Sequence, residues 1–272
     1  MTRTLNRAIL DDLYARYNRR AYVHPDPVEF LHHYDDPGDR EIVGLVASSL
    51  AYGRVAQTLK SVSTVLGRMS SPSAFLRSAS RNSLDKVFAD FRHRFTSGDE
   101  LSAMLYGAKR AIEKYGSLRA CFAHNLKDDD YTVLPALSAF VDELTTTTSR
   151  RHSYLLASPR RGSACKRLNL FMRWMVREDD VDPGGWQDVP ASKLIMPLDT
   201  HMHRICLALG LTRRKQANLR TANEITAAFS TIAPEDPVRY DFALTRLGIR
   251  DDMDLDGFLV QYRLSSAVDH TT

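Results

Sequence analysis

Gly162-Ser163-Ala164-Cys165-Lys166-Arg167-Leu168-Asn169-Leu170-Phe171-Met172-Arg173-Trp174-Met175 decides the reading of this 272-residue chain, together with Pro197-Leu198-Asp199-Thr200-His201-Met202-His203-Arg204 downstream. Between them lies a loop punctuated by Pro183, Pro190, Pro197, Gly184 and Gly185. The spacing predicts one helix opening at Lys166 and a second opening at Asp199. A connecting loop of that composition can fold back and bring the lysine amine to the aspartate carboxylate. An amine nucleophile beside a carboxylate is the residue kit of a Schiff-base enzyme.

Working outward, the chain reads as helical almost throughout, and the expected fold class is all-α. Apolar residues recur at helical spacing in 5–18, 41–50 and 55–69, and again in 101–115 and 131–144. Asp39 and Asp99 are expected as N-caps. Thr221-x-x-Glu224 is expected as a capping box. Asp236-Pro237 is expected to open a last long helix closed by Gly248. The polar segment Thr145–Arg151 divides the chain into approximate lobes at 20–148 and 149–250, within one two-lobed helical unit spanning 1–272. No useful strand alternation and no fixed-period repeat is visible. Phe91-Arg92-His93-Arg94-Phe95 interleaves aromatics and cations as nucleic-acid surfaces do, but is expected as an ordinary amphipathic helix.

Composition is that of an ordinary globular protein, with 43% hydrophobic and 26% charged residues. The net charge of +4 is unevenly placed. Arg150, Arg151, Arg160, Arg161, Lys166, Arg167, Arg173 and Arg177 occur in one stretch without an Asp or Glu. Such a run is expected as a footprint for phosphate backbones. Cys121, Cys165 and Cys206 are too scattered for a four-cysteine metal or iron–sulfur site and suit a reducing cytoplasm. Residues 1–22 carry charge and no apolar signal core, and no apolar run is long enough to span a bilayer.

A lysine amine, with an ordinary pKa of roughly 10.4, attacks carbon only after losing its proton. Lys166 has Arg160, Arg161 and Arg167 around it and Leu168, Leu170 and Phe171 after it, so both charge repulsion and burial are at hand. A plain phosphate contact is the equal alternative for Lys166. Asp199 is explained completely by an N-cap, and a capping carboxylate that stays ionised can also stabilise a developing positive sugar ring. Asp199-x-His201-x-His203 is a poor metal site, because on a helix His201 points away from the other two. Trp174 is expected in the core and Trp186 beside a pocket.

The Pro/Gly loop and Pro197-Leu198-Asp199-Thr200-His201-Met202 resemble the corresponding segment of the helix-hairpin-helix DNA glycosylases. Residues 155–166 stand where that superfamily has its hairpin and nucleophilic lysine. The 33-position interval from Lys166 to Asp199 is most similar to the archaeal 8-oxoguanine DNA glycosylases. The whole chain also resembles an uncharacterised bacterial family distantly related to them, through Ser158-Pro159, residues 162–169, residues 197–201 and Tyr240-Asp241-Phe242-Ala243-Leu244. The hairpin departs from the superfamily's Leu-Pro-Gly-Val-Gly pattern, with Arg160-Arg161 where small residues are usual.

The resemblance implies a two-lobed helical fold and base excision on double-stranded DNA carrying a damaged base, an oxidised purine being one candidate. Lys166 and Asp199 would be catalytic. Arg160, Arg161, Gly162, Arg167, His201, Arg204, Tyr52 and Arg54 would bind DNA, with Tyr52 and Arg54 filling the gap left by an extruded base. No metal or organic cofactor and no obligate protein partner is implied, and the expected location is the cytoplasm, at the nucleoid. Two other functions fit the same residues: a non-catalytic nucleic-acid-binding protein, and an RNA-acting protein on the same scaffold.

Overall fold

The computed structural model describes residues 6–146, 154–247, 256–260 and 262. Arg150, Arg151, Gly248 and the greater part of the 145–151 divider lie outside the described residues. So do Leu5 and the last six positions.

The architecture is all-α, a bundle of many helices with one two-stranded sheet. In chain order the helices are α1 (Arg7–Tyr17), α2 (Pro37–Ser49), α3 (Val55–Leu66), α4 (Pro72–Ser78) and α5 (Arg81–Val87). The antiparallel strands β1 (Arg92–His93) and β2 (Thr96–Ser97) follow. Then come α6 (Gly98–Tyr115), α7 (Leu118–Ala123), α8 (Leu134–Thr145), α9 (Lys166–Val176), α10 (Thr200–Ala208), α11 (Leu219–Ser230) and α12 (Asp241–Arg246). α2 is the hub. It is buried along most of its length, packing on α9, α3, α4 and α7. α5, α7 and α8 gather on α6, whereas α1 packs on α12.

The helix starts correct several caps read from sequence. α2 is capped by Asp36, which accepts from the Asp39 amide at 2.8 Å. Asp39 instead reaches across to α4, accepting from the Ser73 amide at 2.7 Å. Pro37 explains the shift, because proline fits the first turn and leaves the preceding aspartate to cap. α6 is capped by Ser97 in a capping box with Glu100, displacing Asp99, which pairs with Arg81. α11 starts at Asn218 rather than Thr221. The segment after Pro237 is a turn, and α12 is only six residues long.

Residues 91–95 are not helical. Arg94 and Phe95 form the two-residue turn of the β1–β2 hairpin, and Arg94 has φ +52°. That position is one that Gly, Asn or Asp usually fills, and its absence conceals the hairpin from a sequence reading.

One hydrophobic cluster runs through the molecule, from Leu10 on α1 to Leu244 on α12. Trp174 and Trp186 are both buried. Trp186 packs between Phe122 and Phe171 and donates its indole N–H to Glu41 Oε1 at 3.0 Å. Its edge also lines a surface cavity of about 320 Å³ with Gly184, Gly185 and Arg119, away from Lys166. Helices α6 and α8 approach so closely at Gly107 that a Cβ there would lie 1.9 Å from the Leu144 carbonyl oxygen. Gly107→Ala should therefore destabilise the bundle by about 1–3 kcal/mol, the usual cost of overpacking, measured as a lower urea midpoint with unchanged slope.

Candidate functional site

Lys166 is the first residue of α9, and its position follows from a tight approach. Pro159–Arg161 forms a 3-10 turn that ends at Gly162, with φ +74°. Cys165, the residue before the helix, also takes a left-handed conformation at φ +48°. A non-glycine residue held there costs of order 1–3 kcal/mol and persists only when its surroundings impose it. The surroundings do so here. The Cys165 amide donates to Ser163 Oγ at 3.2 Å, its thiol donates to the Ala157 carbonyl at 3.1 Å, and Asn169 donates to the Ala164 carbonyl at 3.0 Å. The Gly162 carbonyl accepts from the Leu219 amide at 3.0 Å, and Ser163 bridges to Asn218, which ties this turn to the start of α11. Burial pushes the Cys165 thiol up to about 11, so it is a packing group rather than a nucleophile.

From Lys166 the helix carries the chain about 16 Å away, at 1.5 Å per residue. The loop then brings it back. The Gly184 amide donates to the Trp174 carbonyl at 3.0 Å and the Trp186 amide to the Met175 carbonyl at 2.8 Å, so the loop itself caps α9. It returns to Asp199, which caps α10 by accepting from the Met202 amide at 2.8 Å. The result is the predicted juxtaposition, with Lys166 Nζ 3.5 Å from Asp199 Oδ2. Both side chains are about one-third exposed, at 29% and 35%.

Lys166 also donates to the Ala51 carbonyl at 3.2 Å, and the next residue, Arg167, donates to the Ser49 carbonyl at 3.0 Å. Arg167 thus meets the last carbonyl of α2 and Lys166 a carbonyl just past its end, where the helix dipole is negative. The Arg167 guanidinium lies over the rings of Tyr52 and Tyr154, at 5.0 and 4.7 Å from their centres.

Two cavities meet at the Lys166–Asp199 pair and share Ala51, Tyr52 and Gly53 as a common wall. The smaller, of about 190 Å³, runs inward past Leu170, Arg173 and Asp241. The larger, of about 620 Å³, opens outward past Ser163, His201 and Asn218. Under the smaller cavity, Arg173 pairs with both Asp182 and Asp241. Arg177 pairs with Asp182, Asp179 and Asp236. Burial pushes the Asp241 carboxyl up to about 6; Arg173 opposes the shift and the nearby Asp199 carboxylate adds to it.

Other expected DNA-binding residues scatter. Arg160 is exposed and pairs with Asp142 at 2.9 Å; Arg161 and Gly162 are exposed on the same turn. Arg204 and Arg54 are exposed. His201 donates from Nε2 to the Leu247 carbonyl at 2.7 Å, and His203 to the Arg214 carbonyl at 2.8 Å. No group of three or more His, Cys, Asp or Glu side chains is placed to hold a metal among the described residues. Tyr52 is half-buried, its hydroxyl donating to the His93 carbonyl at 2.7 Å, which holds the ring in place against the hairpin.

The basic run is corrected. Arg173 and Arg177 are buried in ion pairs and Arg167 is turned inward, so the cations do not form one surface. The reason is helical phase. Positions 173 and 177 are one turn apart on the face that packs on the core, and their charges are met by Asp179 and Asp182 on the loop after α9 and by Asp236 and Asp241 from farther along the chain. The sequence reading missed the Ala51 carbonyl, Tyr154 and Asp241 as parts of this site. Only Asp241 carried a signal, within the Tyr240–Leu244 motif.

The fold and site define an all-α protein with an ammonium–carboxylate pair in a cleft. The chain belongs to the DUF2400 family, a protein family of unknown function, whose model matches residues 26–250. Comparisons with curated proteins and with solved structures return no match.

Cap and charge at Asp199 separate by substitution. Asp199→Asn should keep the cap and leave the melting temperature almost unchanged, whereas Asp199→Ala should cost about 0.5–2 kcal/mol. Arg173→Met should cost about 3–5 kcal/mol in urea denaturation, because it leaves the buried Asp241 carboxylate without its partner and Asp182 with Arg177 alone.

Proposed function

We propose that the protein is a base-excision DNA glycosylase with Schiff-base lyase chemistry, acting on duplex DNA that carries a damaged base, an oxidised purine being the first candidate. The observation that carries this reading is the 3.5 Å approach of Lys166 Nζ to Asp199 Oδ2 where the two cavities meet. Further support comes from the order of parts, a tight hairpin, a lysine opening the next helix, a Pro/Gly loop and a capping aspartate. That order is similar to the helix-hairpin-helix glycosylases. Chemistry on a base requires that it leave the stack, and the smaller cavity beside the amine offers a place for it.

In this reading Asp199 takes a proton from the Lys166 ammonium and frees the lone pair. The amine then attacks the anomeric carbon. The glycosidic bond breaks with its electron pair leaving on the base, which takes up a proton. Asp199, ionised again once that proton has moved on, stabilises the positive charge that develops on the sugar. The attached nitrogen, now a secondary ammonium, gives a proton to Asp199; its lone pair then expels the ring oxygen, which is protonated as the sugar opens, and the iminium that results is the Schiff base. Loss of a proton from the neighbouring carbon expels the 3′-phosphate and cleaves the strand. Each step uses groups of this chain and water.

Exposed Arg160 and Arg161 lie on the turn tied to α11, exposed Arg204 lies on α10 and exposed Arg213 and Lys215 on the segment between α10 and α11, and all carry positive charge for a phosphate backbone. Borohydride trapping on labelled duplexes carrying 8-oxoguanine, uracil or an abasic site tests the proposal. Wild-type protein should give a covalent adduct that Lys166→Gln abolishes while retaining most of its DNA affinity. Asp199→Asn should slow base release by about a hundredfold or more. Binding without an adduct on any duplex would move the assignment to a non-catalytic nucleic-acid-binding protein, and tighter binding to structured RNA would move it to RNA.

A further inference from the structure

The β1–β2 hairpin presents a feature that the chemistry at Lys166 does not use. Phe95, at its tip, is 70% exposed, and Tyr154 beside it is 45% exposed. The two rings meet edge to face at 6.0 Å, and Tyr154 meets Tyr52 in the same way at 5.2 Å. Tyr52 lines both cavities. The aromatic series therefore runs without a break from solvent to the cleft wall. Cations are interleaved with it. Arg94 lies over Phe95 at 5.5 Å and over Tyr52 at 5.9 Å, and Arg167 lies between Tyr52 and Tyr154.

The hairpin is also pinned. The Tyr52 hydroxyl bonds both the His93 carbonyl and Thr96 Oγ1, each at 2.7 Å. His93 is buried, with Nδ1 2.8 Å from Ser61 Oγ and Nε2 3.2 Å from the Tyr52 carbonyl. Arg94 packs against Gly53, where a Cβ would lie 2.5 Å from its Nη1. A phenyl ring on a fixed turn loses little freedom when a ligand stacks on it. Leaving it in water forgoes the burial of its apolar face. Residues 92–97 include two arginines and no carboxylate, a charge complementary to a ligand that is anionic as well as planar.

We infer that Phe95 is a positioning residue that inserts into or stacks on the bases of a nucleic acid strand next to the cleft, holding the strand open while Lys166 and Asp199 act. The inference rests on the nucleic-acid reading above and adds to it a preference for a stacked duplex that must be opened. It transfers the stacking role from Tyr52, whose hydroxyl is committed to the hairpin, to the exposed ring that Tyr52 supports. The base partner is recognised through its π-face, so this contact is tolerant of sequence.

The test uses the full chain with Phe95→Ala and Phe95→Trp. Because Phe95 is largely exposed, both variants should keep the wild-type melting temperature. A duplex with 2-aminopurine beside an abasic site reports unstacking as increased fluorescence at saturating protein. Wild type and Phe95→Trp should raise the signal, and Phe95→Ala should lose most of the rise. Adduct formation by Phe95→Ala should fall by about tenfold on the duplex and by less than about twofold on the single-stranded abasic oligonucleotide. Equal losses on both substrates, or no loss on either, would overturn the inference. So would a Phe95→Ala variant that binds and unstacks the duplex normally but loses self-association in sedimentation, since the ring would then be a protein contact. Should wild type form no adduct on any substrate, the lyase reading fails, while the fluorescence comparison still decides the role of Phe95.

Discussion

Arg173 is a guanidinium with almost no access to water, held between Asp182 on the returning loop and Asp241 on α12. Most of the site depends on it. Removing such a charge from water is expensive, and the cost is offset only when the surrounding carboxylates are placed accurately. That requirement runs in both directions. Asp182 must come back over α9, and so the loop cannot wander after Val176. Asp241 must sit at the start of α12, and α12 in turn supports α10, which Asp199 opens. One buried cation thereby ties α9 to the loop that follows it and to α12, 68 residues farther along the chain, and the 190 Å³ cavity forms directly above it. An apolar side chain of similar size would fill the space without dictating where the loop goes.

A second constraint acts at the other end of α9. The carbonyl end of α2 stops at Leu50 without a glycine cap; Arg167 meets the Ser49 oxygen and Lys166 the Ala51 oxygen just beyond it. The left-handed Cys165 makes this possible by turning the chain sharply before the helix begins. Lys166 consequently has a structural partner, the Ala51 carbonyl, and a chemical one, Asp199. Both are oxygen acceptors, so its three ammonium protons are well placed while one direction remains open to the cavities. A long flexible side chain held by two acceptors has lost most of the rotamer freedom that a free surface lysine would retain.

The helices with continuous apolar spacing were legible from sequence, as were Trp174 in the core, Lys166 at a helix start and Asp199 as a cap. These features are set within a single turn or two of chain. What was hidden depends on the tertiary structure. Asp39 and Asp99 have the composition of caps, but Pro37 and Ser97 shift the helix starts and leave those carboxylates to bridge between elements. The basic run looked like a surface because charge in sequence carries no helical phase; structure sends Arg173 and Arg177 inward and Arg160 outward. The hairpin at 92–97 could not be read because Arg94 occupies a positive-φ turn position without being glycine, asparagine or aspartate. Its stability comes from Tyr52 and Ser61, more than thirty residues upstream.

These parts connect into one physical argument. The buried Arg173 cluster sets the floor of the inner cavity, the α2 terminus sets the position of the amine, and the loop sets the carboxylate against it. Tyr52 joins this assembly to the hairpin, since its ring forms the wall shared by both cavities and its hydroxyl anchors the turn below Phe95. A displacement of α2 would therefore move the Lys166 acceptor, the cavity wall and the exposed aromatic tip together. On the proposed reading, rigid coupling of this kind lets opening a strand and reacting with one of its residues occur in the same geometry. Separate mobile elements would have to be ordered at each encounter, and that ordering would reduce binding. The cleft, the cation–aromatic series and the ammonium–carboxylate pair are accordingly one unit built on α2 and α9.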